Sequence, residues 1–167
     1  MVVSFLPFSQ GAILGDIQTS KTTLKIDGTV SQVSAASTIT KATAAEKAQL
    51  NKLQGKAGLS TLAKYINKHL NHRSGAAISY SGVEKTGYGD CWGLSDWTAK
   101  ILKKNGYTVR VVQGANKYSS RHRWTQVKVD GKWTTFEPSL VTKKYGSKPY
   151  TSTCAKMSKV VVTYNAK

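Results

Sequence analysis

The dipeptide Asp130-Gly131 constrains this chain more than any other feature, because the two-residue turn it favours fixes the register of the strands on either side. With these two residues as the turn, Val129 faces Lys132, and counting outward sets Trp124 opposite Glu137. Residues directly opposite share a face of the sheet, as do residues two apart along a strand. His122, Trp124 and Glu137 therefore project from one side. His122 and Glu137 become diagonal neighbours with backbones about 7–8 Å apart, a gap that an imidazole and a Glu side chain can close. A carboxylate on one ring nitrogen fixes the tautomer and leaves the other nitrogen free to take a proton from a nucleophile.

The candidate nucleophile is Cys91. Leu94, Trp97, Ile101 and Leu102 form the apolar face of a helix that begins near this residue, and Asn105-Gly106 ends it with a left-handed cap. A helix N-terminus favours the thiolate, which is the reactive species, and presents backbone N–H groups to a developing oxyanion. Asp90 at the N-cap directs its carboxylate toward the helix amides more naturally than toward the sulfur. The backbone N–H of Cys91 is the expected oxyanion donor, and no second donor can be named. A lone cysteine is most often a small buried apolar residue; the shared face of His122 and Glu137 is what makes Cys91 a candidate for catalysis. The other cysteine, Cys154, lacks such company and reads as structural or incidental. Neither cysteine belongs to a CxxC pair, so neither a disulfide framework nor a structural zinc site is expected, and no cofactor is called for.

Residues 1–45 read as an arm rich in Ser, Thr and Ala, with one hairpin around Asp27-Gly28, and residues 46–167 as the catalytic domain with a basic C-terminal tail. The apolar start, Met1 to Phe8, lacks a basic leader and is interrupted by Pro7, so neither a secure signal peptide nor a membrane span is expected. Residues 44–53 are helical in composition, with Gly55 as the stop. Leu59, Leu62, Ala63, Ile66 and Leu70 then repeat at helical spacing. His69 and His72, three apart on one helix, have no third ligand nearby for a metal and are expected to face solvent, and residues 73–90 to form a loop. Tyr107 to Gln113 read as a strand, two further strands flank Asp130-Gly131, and Val160 to Thr163 add an edge strand. Trp92, Trp97 and Trp133 are expected in the core, while Trp124, on the face of His122, walls the cleft. The fold class is α+β, with helices packed on an antiparallel sheet.

The formal charge is +17, and the surplus lies entirely in residues 41–167, because Lys21 and Lys25 are cancelled by Asp16 and Asp27. Two readings are open: a field that concentrates polyanions, whether nucleic acid, anionic wall polymer or acidic lipid, or a charge that keeps the protein soluble. The 40% hydrophobic fraction, with 8 Tyr, 4 Trp and 3 Phe, excludes wholesale disorder.

Gly89-Asp90-Cys91-Trp92-Gly93, Val112-Gln113-Gly114, Ser120-Arg121-His122-Arg123, and Gly131-Lys132-Trp133 followed by Phe136-Glu137-Pro138 together resemble the transglutaminase-like superfamily of cysteine enzymes, in the family order Cys, His, acid. Within it the likeness is to the pseudomurein endoisopeptidases of methanogen viruses and related methanogen wall proteins. The family's usual third residue is Asp, and Glu137 stands in its place. The resemblance implies a papain-like core in which Cys91, His122 and Glu137 cleave peptide or isopeptide bonds of cell-wall peptides, outside the cell or delivered by a virus. Tyr88, Trp124, Arg121 and Arg123 are the expected substrate contacts, although the two arginines serve equally well to solvate the strand. An amine-dependent crosslinking transferase and a catalytically inactive basic module that binds wall polymer or nucleic acid are the alternatives.

Overall fold

Valine-rich alternation in the second half of the chain builds one antiparallel sheet, and the apolar stripes of the helices cover it. The computed structural model describes residues 22–26, 29–33 and 38–167. Strands β1 (Thr22–Ile26) and β2 (Thr29–Val33) pair antiparallel with Ile26 opposite Thr29, which is the hairpin expected around Asp27-Gly28. The remainder of the expected arm up to residue 37, including the apolar start, lies outside the described residues. The chain divides into a unit ending at Thr38 and a second unit spanning Ile39–Lys167.

In the second unit, helix α1 (Ala44–Gln49) opens with a reciprocal cap. Glu46 N–H donates to Thr43 Oγ1 at 3.2 Å, and Thr43 N–H donates to Glu46 Oε2 at 2.9 Å. Lys68 Nζ lies 2.6 Å from Glu46 Oε1. These donors hold the Glu46 carboxyl down at about 2, the Lys68 bond contributing most. The helix stops at Leu50, short of the expected Leu53, and Gly55 starts the next helix, α2 (Gly55–His69), where a stop was expected. The physical reason is tertiary. Asn105 Nδ2 donates to Leu50 O at 2.7 Å, and Leu53 N–H donates to Asn105 Oδ1 at 2.9 Å, so a residue far along the chain shapes this turn.

Leu59, Leu62 and Ile66 on α2 are fully buried, as their spacing requires. The segment expected to be a loop holds β3 (Asn71–Ala77), α3 (Tyr80–Thr86) and the short β4 (Tyr88–Gly89), with β3 and β4 pairing in parallel. Glycines and serines mask any period here, while the pairing of His72 with Gly89 brings β3 beside the start of the next helix. His69 is buried at the end of α2, and His72 is half-buried on β3, so the expectation of two solvent-facing histidines on one helix is corrected.

Helix α4 (Cys91–Lys104) buries Leu94, Trp97, Ile101 and Leu102. Each such side chain contributes about 1.5–3 kcal/mol on leaving water, which fixes the helix and hence its first residue. Gly106 follows with φ of +83°, the left-handed cap expected there. The helix packs on a four-stranded sheet of order β7-β6-β5-β8, antiparallel throughout, formed by β5 (Val109–Gly114), β6 (His122–Val129), β7 (Lys132–Phe136) and β8 (Lys159–Tyr164). Val129 pairs with Lys132, and Asp130 and Gly131 take φ of 51° and 75°, as a two-residue turn with both central residues left-handed requires. A short helix α5 (Pro138–Val141) follows β7. Among the described residues, no helix is long and apolar enough to cross a membrane.

Candidate active site

Cys91 is the first residue of α4, and the cap around it is built by its neighbours. Asp90 Oδ1 accepts from Trp92 N–H at 2.8 Å and Gly93 N–H at 2.9 Å, and Leu94 N–H donates to Asp90 O at 3.0 Å. These bonds satisfy the amides of Trp92, Gly93 and Leu94 in the first turn. The absence of a side chain at Gly93 is required here. A Cβ at that position would lie 2.0 Å from Ala77 O, the carbonyl that accepts from Asp90 N–H at 3.1 Å. The end of β3 is thereby clamped against the helix start.

His122 opens β6, opposite Gly114 on β5. Its Nε2 lies 2.6 Å from Glu137 Oε2, and both side chains are buried. The last ladder pair is Thr125 with Phe136, so Glu137 stands just past the strand, where it caps α5 by accepting Ser139 N–H at 3.1 Å on Oε1. The longer carboxylate therefore reaches the ring. Trp124 lies nearly parallel to His122, with ring centroids 5.7 Å apart and planes inclined at 16°. Burial disfavours the imidazolium, but hydrogen bonds to Cys91 and Glu137 and their charges outweigh it and push His122 up to about 9. With Nε2 held by Glu137, Nδ1 is the ring nitrogen on the opposite side.

A cleft of about 1030 Å³ opens over this cluster and is lined by Cys91, Trp92, His122 and Arg121, with His72 on one side and the exposed Ile78 and Tyr118 at its rim. Burial pushes His72 down to about 4, so it lines the cleft as a neutral ring at neutral pH. Of the expected substrate contacts, Arg121 lines the cleft. Tyr88, Arg123 and Trp124 lie outside its wall. Arg73 covers the Tyr88 ring at 3.8 Å. Arg123 lies 3.5 Å over the Trp92 ring and donates through Nε to Gln113 Oε1 at 3.1 Å, while Trp92 Nε1–H donates to Arg121 O at 2.9 Å. Trp92 is thus a half-buried cleft residue and Trp133 a half-exposed one beneath Arg110 at 4.1 Å; of the three expected in the core, Trp97 alone is fully buried.

Cys154, expected to lack such company, lies beside the His122–Glu137 pair. Its Sγ lies 3.4 Å from His122 Nε2 and 3.8 Å from Glu137 Oε2. Burial and then the Glu137 charge push this thiol up, so it stands beside the pair as a neutral S–H. Gly114 explains the approach: a Cβ there would fall 1.9 Å from Lys156 O, and Ser158 N–H donates to Gln113 O at 2.8 Å as the tail enters β8. The available signal was the edge strand itself. Once Val160 to Val162 pair with β5, the preceding residues must cross the end of β5, where His122 sits.

The transglutaminase-like superfamily model matches residues 36–138, a span that contains Cys91, His122 and Glu137. The chain belongs to the transglutaminase-like superfamily. Members of that superfamily are typically cysteine-dependent enzymes, either peptidases or transferases, and this transglutaminase-like domain brings a Cys, a His and a Glu together. A solved structure, the crystal structure of a TGase, is similar at 13% identity with a TM-score of 0.43; the match covers 83% of this chain and 49% of that one, so the chain spans about half its length. No curated protein matches this transglutaminase-like chain.

Proposed function

We propose that this protein is a cysteine peptidase that cleaves peptide or isopeptide bonds through a triad of Cys91, His122 and Glu137. The observation that carries the reading is the buried His122–Glu137 pair at 2.6 Å, whose ring lines the same cleft as Cys91 at a helix N-terminus and interacts electrostatically with that thiol. His122 takes the thiol proton, and the thiolate attacks the amide carbonyl while the Cys91 amide faces the oxyanion. The imidazolium then protonates the leaving amine, and water, deprotonated by the same ring, releases the acyl group. Glu137 holds the ring and its charge throughout. The open cleft with exposed Ile78 and Tyr118 at the rim suits an extended peptide.

The substrate we propose is the peptide portion of pseudomurein, with the protein acting at the cell wall, outside the cell or carried by a virus. Its support is the motif resemblance of Gly89 to Gly93 and of the strand residues, together with a charge of +17 that favours an anionic envelope. The test is to incubate pseudomurein wall peptides with the wild type and with Cys91→Ala, with and without an added primary amine, and to read the products by mass spectrometry. New amine and carboxyl ends from the wild type alone support hydrolysis. Amine conjugates from the wild type would make it a crosslinking transferase, and equal activity in both proteins would remove the enzyme reading.

A further inference from the structure

His122 Nε2, Glu137 Oε2 and Cys154 Sγ form a triangle with edges of 2.6, 3.4 and 3.8 Å, and all three atoms lie within 4.8 Å of one another. A tetrahedral zinc ion with bonds of about 2.0–2.1 Å to nitrogen and oxygen and about 2.3 Å to sulfur holds its ligands about 3.3–3.6 Å apart. The two edges that end on sulfur are already close to that size. The nitrogen–oxygen edge must open by about 0.7 Å, which a Glu side chain can supply by rotation about its own bonds. Imidazole, thiolate and carboxylate together are a donor set for a borderline-soft divalent ion and a poor one for magnesium or calcium. Two ligands are buried and held in place, while Cys154 is exposed, so an ion can enter from solvent and keep water in the fourth position.

We propose that these three side chains form a zinc-class metal site whose occupation shuts off the active site. On binding, Cys154 releases its proton to solvent, and the neutral ring, the form that acts as base, gives its Nε2 lone pair to the ion. Its single proton then sits on Nδ1, the nitrogen that faces Cys91 in the proposed triad, and Glu137 is drawn to the metal. The base can no longer accept the thiol proton. The shut-off rests on the reading given under Proposed function; the binding itself does not, because Cys91 is not one of the three ligands.

The test uses the full chain without added histidines. Cadmium is titrated into the wild type, Cys91→Ala, Cys154→Ser and Cys154→Ala while the thiolate-to-cadmium charge-transfer absorption is followed, and zinc binding is measured by calorimetry. The expected result is a one-equivalent band in the wild type and in Cys91→Ala. Both Cys154 variants lose the band and bind zinc roughly tenfold more weakly or worse. A band that disappears in Cys91→Ala and persists in both Cys154 variants overturns the site, as does no band in the wild type. Peptide cleavage by the wild type should fall as zinc fills the site and resist zinc in Cys154→Ser; binding without any loss of cleavage overturns the shut-off.

Discussion

The two cysteines sit in regions built by different rules. Cys91 heads α4, whose apolar face, N-cap and C-cap are all local patterns, and it meets a histidine placed by a two-residue hairpin. Cys154 sits in an irregular tail held by Gly114, by Ser158 on Gln113 and by an edge strand, all long-range constraints, yet it ends 3.4 Å from the same histidine. A periodic element announces its contents along the chain, whereas a tail acquires its position from what it lies across. The functional difference follows. In the proposed triad Cys91 has the helix N-terminus and His122 as partners, while Cys154 meets the Glu137 side of the ring and is kept as a thiol.

The largest effect expected is on the helix side. Cys91→Ala should reduce peptide cleavage by roughly 10³-fold or more, whereas a variant at Cys154 should leave metal-free cleavage near that of the wild type, both read as kcat/KM in chelator. Equal losses at both positions would erase the contrast. Next in size is Glu137→Gln, which keeps the volume and removes the charge. It should lower kcat by about 10²–10⁴-fold. It should also move the alkaline limb of the pH profile. His122 is raised from its ordinary 6.5 to about 9, so the imidazolium and its pairing with Glu137 are fully present below about 6.5 and are lost as pH rises through about 9. In Glu137→Gln that loss should come at lower pH.

Gly114→Ala sharpens the tail side. A methyl 1.9 Å from Lys156 O must displace the strand or the tail, at a cost of about 1–3 kcal/mol in denaturant unfolding, and should weaken cadmium binding through Cys154 more than cleavage through Cys91. The smallest effect concerns Glu46. Its folded value of about 2, below the ordinary 4.5, means that its contribution to stability is present above about 4.5 and is lost as pH falls through about 2. Melting temperatures of the wild type and Glu46→Gln should therefore differ at neutral pH and converge in strong acid.

Much of the fold was legible because it rests on local chemistry. Asp130-Gly131 fixed Val129 opposite Lys132, and from that register came the shared face of His122 and Glu137. The 59–70 stripe, the Asn105-Gly106 cap and the edge strand at Val160 were legible for the same reason. What escaped was set by partners distant in sequence. Gly55 reads as a helix stop until Asn105 is seen to hold the turn before it. The β3–α3–β4 segment hides its elements behind glycine and serine, and Trp92 reads as core until Arg123 is found over its ring. Cys154 has no such company along the chain, yet in space it meets His122, Glu137 and Asn116.

The most direct test of the account is the rate at which each cysteine of the native protein reacts with a limiting thiol alkylating agent at neutral pH in chelator, read by peptide mapping. The triad predicts that Cys91, though less exposed than Cys154, is modified first by a wide margin, and that His122→Ala removes this advantage. Modification of Cys154 as fast as or faster than Cys91 in the wild type would contradict it.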